Sequence, residues 1–219
     1  MPDAEILSAE PPAAGDAPAR PVRKRPKPGE RRDQILQTLA TMLERPGAER
    51  ITTAALAARL DVSEAALYRH FASKAQMFEG LIEFIEKSVF TLVNQISERD
   101  GAGAEEAGPR HAMRMVTMLF QFAEKNPGMA RVMVGDALVF ENERLQQRMN
   151  QFFDRFEASL KQSLRSVAQS QGSDTPTIDA QVTASVLSAF VAGRLQRYAR
   201  SGFKRLPTEH LDASLALIL

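Results

Sequence analysis

Glu83 and Glu86 stand three residues apart beside Phe84, a spacing that puts two carboxylates on one face of a helix. As a general acid and base they would need a nucleophile, a metal or a phosphate-cradling glycine loop nearby, and the flanking sequence supplies none. A solvated helix face is therefore the expected place for them. The chain has 219 residues and no cysteine, which excludes a disulfide scaffold, a thiolate metal site and a cysteine nucleophile. His70, His111 and His210 lie too far apart in sequence for metal-ligand spacing. No catalysis, metal or cofactor is expected. Positive charge is the stronger signal. Net charge is only +1, yet residues 20–32 hold Arg20, Arg23, Lys24, Arg25, Lys27, Arg31 and Arg32 against one acid, Glu30. Pro21, Pro26 and Pro28 keep this tract extended. It reads either as a solvated charge run or as a nucleic-acid arm.

The rest of the chain must position that arm. Residues 1–19 carry four acids, no Lys or Arg and no apolar period, so residues 1–30 are expected to be a disordered tail ending in the basic arm. From Arg31 onward the pattern is helical. Ile35, Leu36, Leu39, Met42 and Leu43 form one stripe, ended by Pro46-Gly47. Thr52 or Thr53 can cap a short helix reaching Leu60. Ser63 can cap a second short helix through Leu67 and Tyr68 to Phe71. Ser73, with Gln76 three residues on, opens a long helix to about Ser97. Further helices carry Met113 to Ala123, then Val132 to Phe140, then Leu145 to Val167, and a last long one carries Val182 to Leu195. Asn126-Pro127-Gly128 separates the first two of these. No period-two pattern appears, so the fold class is all-α. No apolar run reaches the roughly 18–20 residues of a membrane span. With no secretory signal pattern, a cytoplasmic protein is expected.

Two short helices joined tightly, the second opened by a capping serine, make a helix-turn-helix or merely a corner in a bundle. In the first case the second helix enters the major groove of double-stranded DNA, roughly 12 Å wide, from a rigid support knitted by Leu56, Val62 and Leu67. Thr52 and Thr53 then anchor a phosphate at a helix N-terminus. Ser63, Ala65, Tyr68, Arg69, His70 and Lys74 line or flank the exposed face, with Arg31 and Arg32 beside them. His70 either meets a phosphate or caps the helix. The stretch from Ile51 to Lys74 resembles the DNA-binding domain of the TetR family, at Val62-Ser63, Leu67-Tyr68, His70-Phe71 and Lys74. Asp61 replaces that family's usual turn glycine, and aspartate tolerates left-handed geometry better than most residues. The resemblance implies a three-helix DNA-binding domain over 31–76 and a helical dimerisation and partner-binding domain over 77–219.

A narrower resemblance, from about Arg31 to Pro207, is to the nucleoid occlusion branch of that family. It rests on Arg50 to Thr53, Ser63 to Phe71, Leu81 to Glu86, Asn126 to Gly128 and Ala137 to Leu145. It implies a nucleoid-associated homodimer that binds specific chromosomal sites. It also implies capture of the C-terminal tail of FtsZ in a groove between the long fourth helix and the helix ending at Asn126. Phe84, Lys125 and Asn126 would hold that tail. Lys125 stands where these proteins have arginine and keeps the charge without the bidentate fork. The plainer reading is that Phe84 is core and Asn126 a helix cap. A TetR-type repressor released by a small-molecule effector is the alternative function. For the dimer, large apolar residues on the last two long helices suit a four-helix interface: Phe152, Phe156, Val182, Val186 and Phe190.

Overall fold

The computed structural model describes residues 29–45, 51–99, 107–170 and 172–219. The basic residues 20–27, the Pro46-Gly47 break, Arg50 and the Val167 side chain lie outside the described residues. Helix α1 (Glu30–Leu43) buries Ile35, Leu39 and Leu43, one face at i, i+4, i+8. Helix α2 (Thr53–Leu60) and α3 (Glu64–Tyr68) are short, each capped by a side chain. Helix α4 (Lys74–Arg99) is the long fourth helix. Its Ser73 cap accepts from the Gln76 N–H at 3.2 Å, while the Gln76 side chain accepts from the Ala72 N–H at 2.8 Å. Helices α5 (Ala107–Lys125), α6 (Pro127–Met133), α7 (Glu143–Ser170), α8 (Pro176–Arg200) and α9 (Leu211–Leu215) complete the described fold. No strand occurs among the described residues, and none of their helices is long and apolar enough to cross a membrane.

The core is continuous from α1 to α9. Leu56 and Leu67 are each 1% exposed and lock α2 to α3, with Val62 packed against them. Phe71, expected as the end of the third helix, instead follows it and is buried beneath α1. Arg32 explains its setting: the guanidinium lies 4.2 Å from the Phe71 ring centre and donates to the His70 carbonyl at 3.1 Å.

Some expected elements change. The helix expected from Val132 to Phe140 stops at Met133, because Gly135 turns left-handed at φ 83°. A side chain there would also strike Gln146 on α7. A single 3-10 turn, Asp136–Leu138, follows, and Val139 and Phe140 emerge exposed. The last long helix is not the last element. Helix α9 returns Leu211 and Leu215 to the core, and Arg194 on α8 holds the approach through Pro207, Glu209 and Ser214.

The expected interface residues divide. Phe152 and Phe156 are buried inside their own chain, at 2% and 0% exposure, so they cannot meet a partner. Phe152 packs edge-on against Phe153 and tilted against Phe90. Phe190 is partly buried on Phe120. Val182 and Val186 do face outward, because the inward face of α8 is taken by Ala180, Ala184, Leu187, Val191, Leu195 and Tyr198. Burial raises the Tyr198 phenol above its ordinary range, helped by Glu124 and Glu44.

Candidate nucleic-acid interface and peptide groove

Helix α2 begins at Thr52, whose backbone is extended and whose Oγ1 accepts from the Ala55 N–H at 3.1 Å. Thr52, rather than Thr53, is thus the cap. Asp61 ends the helix left-handed at φ 54°, so the turn needs no glycine. Ser63 caps α3 by accepting from the Ala66 N–H at 3.3 Å. Among the expected contacts, Thr52, Ser63, Ala65, Tyr68, Arg69 and His70 are all exposed, and α3 presents Ala65 and Tyr68 beside Glu64. Thr53 is occupied: its hydroxyl donates to Glu64 Oε2 at 2.5 Å and accepts from Tyr68 at 3.5 Å. The carboxylate of Glu64, absent from the expected contacts, therefore stands in the middle of the exposed α2–α3 face.

Three of the residues expected to line or flank the DNA-facing surface have partners within the chain. Lys74 pairs with Glu141 at 2.5 Å, and that carboxylate is almost fully covered, so its charge is spent inside the molecule. Arg32 is committed to His70 and Phe71 as described above, and Arg31 donates to Gln34 at 3.0 Å. The Lys74 pair is the first of a row between α4 and the start of α7. Glu79 meets Arg144, and Glu86 takes both prongs of Arg148 at 2.6 and 3.0 Å. Glu86 is consequently not a free solvated carboxylate. Its hydrogen bonds, with the fields of Glu83 and Glu79, raise the Arg148 guanidinium further above its already high range. This row braces the helix-turn-helix support against the C-terminal helices.

With Thr52 replaced by alanine, α2 loses its cap at a cost of about 1 kcal/mol. The melting midpoint is expected to fall by about 2–4 °C for a chain of this size. DNA affinity should fall with it, read by titrating a labelled duplex. Unchanged DNA affinity with the lowered midpoint would remove Thr52 from the interface.

A groove of about 650 Å³ opens between α1 and α4. Leu36, Gln37, Ala40 and Thr41 of α1 form one wall; Leu81 and Phe84 of α4, with Asn126 and Met129, form the other. Phe84 is 47% exposed and rests one face on Phe122, 6.3 Å between centres. Nothing in the α1 sequence pattern distinguishes this groove wall from a solvated face. Asn126 is less free than expected. Its Nδ2 donates to the Phe122 carbonyl at 2.8 Å, and its own carbonyl accepts from Met129 and Ala130. The side chain thus closes α5, and Oδ1 is not used in that bond. Lys125 is exposed but is not part of the lining, which carries the acids Asp33 and Glu44.

A capped two-helix reader on a long fourth helix, set on a helical C-terminal body, defines a TetR-type DNA-binding regulator. Residues 35–81 match the family described as bacterial regulatory proteins, tetR family. Residues 110–219 match the SlmA-like family, described as the tetracyclin repressor-like C-terminal domain. The chain belongs to the nucleoid occlusion factor SlmA family. It is 52% identical over 184 residues to the nucleoid occlusion factor SlmA of Photobacterium profundum, covering 83% of this chain and 90% of the relative. It is 50% identical over 190 residues to that of Vibrio cholerae, covering 86% and 93%. Among solved structures, the FadR regulator of Bacillus subtilis in complex with stearoyl-CoA aligns at a TM-score of 0.65, 15% identity, covering 85% of this chain and 96% of that one. The TetR-family regulator PfmR of Thermus thermophilus aligns at 0.63 and 22% identity, covering 85% and 97%. These structural likenesses concern the fold.

Proposed function

We propose that the chain inhibits cell division over the nucleoid. As a homodimer it binds specific chromosomal sites in double-stranded DNA through α2 and α3. While bound, it captures the C-terminal tail of FtsZ and disrupts FtsZ polymers over unsegregated DNA, acting in the cytoplasm at the nucleoid. The reading needs no bond-making chemistry and no cofactor. Identity of about half the residues to proteins named nucleoid occlusion factor supports it. The single structural observation that carries the partner is Phe84, a large aromatic ring left half exposed in the lining of the groove. A ring in that position gains roughly 25 cal/mol for each Å² that a ligand covers.

The groove's chemistry refines how the tail binds. Its lining holds two carboxylates and no cation, so the tail's apolar side chains, and not its acids, seat against Phe84 and the partly exposed Leu36. Asn126 Oδ1 accepts a backbone N–H from the extended tail. Lys125, next in the chain, attracts the tail's acids from outside the groove. Phe84→Ala and Asn126→Ala are each expected to weaken binding of a fluorescent tail peptide at least tenfold. DNA binding and dimerisation should stay intact. Tail affinity preserved in both variants, or lost only with folding, overturns the groove assignment.

A further inference from the structure

We infer that Glu64 is a specificity-determining residue, which makes the protein demand a cytosine at one position of each half-site. The inference rests on the DNA-binding reading of α2 and α3 and names what one side chain there would read.

Glu64 is the first residue of α3 and is exposed on the same face as Ala65 and Tyr68. A carboxylate is an unexpected group on a surface meant for a polyanion, since every nearby phosphate repels it. It is nevertheless held firmly. Thr53 on α2 donates its hydroxyl to Glu64 Oε2 at 2.5 Å, within the short range typical of a hydrogen bond to an ionised oxygen. Tyr68, one turn further along α3, stands 3.5 Å from the same Thr53 oxygen. The contact joins the two helices of the reader, and it spends one carboxylate oxygen. Oε1 is left as an oriented, acceptor-only group.

In the major groove an acceptor-only group has limited choices. Cytosine offers the N4 amino donor with no acceptor of its own beside it on that edge. Adenine offers its N6 amino group next to the N7 acceptor, whose lone pair faces a carboxylate unfavourably. Guanine and thymine present acceptors. An aimed carboxylate therefore selects cytosine and penalises the other bases, while adding nothing to non-specific affinity. Thr53 is the positioning residue: it fixes which oxygen points outward without reading a base.

The test is selection of binding sites from a randomised duplex pool by the full-length wild type and by Glu64→Gln, Glu64→Ala and Thr53→Val, with affinities then measured for the selected site and its single-base variants. Wild type should select a half-site with an invariant C·G pair. Glu64→Gln places an amide donor where Oε1 stood, so discrimination for cytosine at that pair should fall roughly fivefold or more. Other positions should be unchanged. Glu64→Ala should lose the same preference while non-specific affinity holds or rises. Thr53→Val should blur the preference only partly. Identical selected sites for wild type and Glu64→Ala would overturn the role of Glu64, leaving it as a helix-end charge that shifts only the melting midpoint. No selected site for wild type would instead overturn the DNA-binding reading beneath it.

Discussion

Gly128→Ala is expected to cost about 3 kcal/mol, at the upper end for forcing atoms into a packed interior. Gly128 lies in the first turn of α6, where that helix crosses α1 at backbone distance. A Cβ there would collide with the Ala40 carbonyl oxygen and lie 2.9 Å from its carbon and 3.3 Å from its Cα. The obstacle is main chain in mid-helix, so no rotamer change relieves it and α1 and α6 must separate. The melting midpoint should fall by about 6–12 °C. The same separation moves Ala40 and Leu36 away from Met129 and Asn126, which splits the groove at its floor. Tail-peptide affinity should therefore drop in the fraction that remains folded. Calorimetry alongside peptide titration reads both effects. A midpoint within a degree of wild type would mean that α1 slides freely on α6.

The second large effect is expected from Val182→Asp combined with Val186→Asp. Both residues are exposed on the outward face of α8, at 59% and 48%, in line with Ile178 at 61%. Gly193 continues that face with open space above it. An apolar stripe of this length on an exposed helix wants a partner, and a two-fold axis would set α8 against its own copy. The double variant then brings four carboxylates together in a dry interface, each without a cation. Sedimentation should report monomers. Because the substituted positions are exposed within one chain, each chain should keep its helical fold, while its melting midpoint falls by what association contributed. Operator affinity should fall by roughly 10²–10⁴, since two half-sites no longer act through one linked molecule. An intact dimer would place the partner surface elsewhere.

The all-α class, the order of most helices, the caps at Ser63 and Ser73, a cap at Thr52 or Thr53 and the left-handed turn at Asp61 were legible in the sequence. Each depends on residues within a few positions of one another. A capping hydroxyl, a 3.6-residue stripe or a proline break acts through local geometry, so type and spacing suffice. For Phe84 the spacing leaves a core position and a half-exposed one both open, and packing decides for the second.

Distance along the chain set the limit. Lys74 is a free cation in sequence and a partner of Glu141 in the fold. Arg32 is part of a basic tract in sequence and a clamp on His70 and Phe71 in the fold. Phe152 and Phe156 look available for a second chain until α4, α5 and α8 cover them. The α8 stripe is ambiguous for a further reason: apolar and small residues surround the helix, so periodicity alone cannot say which face turns inward. Helix α9 and the α1 wall of the groove were invisible, since their burial depends on surfaces contributed by segments tens of residues away. Short-range hydrogen bonding and side-chain shape determine where helices begin and end. Which charges remain free, which rings stay exposed and which carboxylate is aimed outward is decided only when the helices pack, because desolvation and pairing depend on neighbours that the chain brings together from far apart.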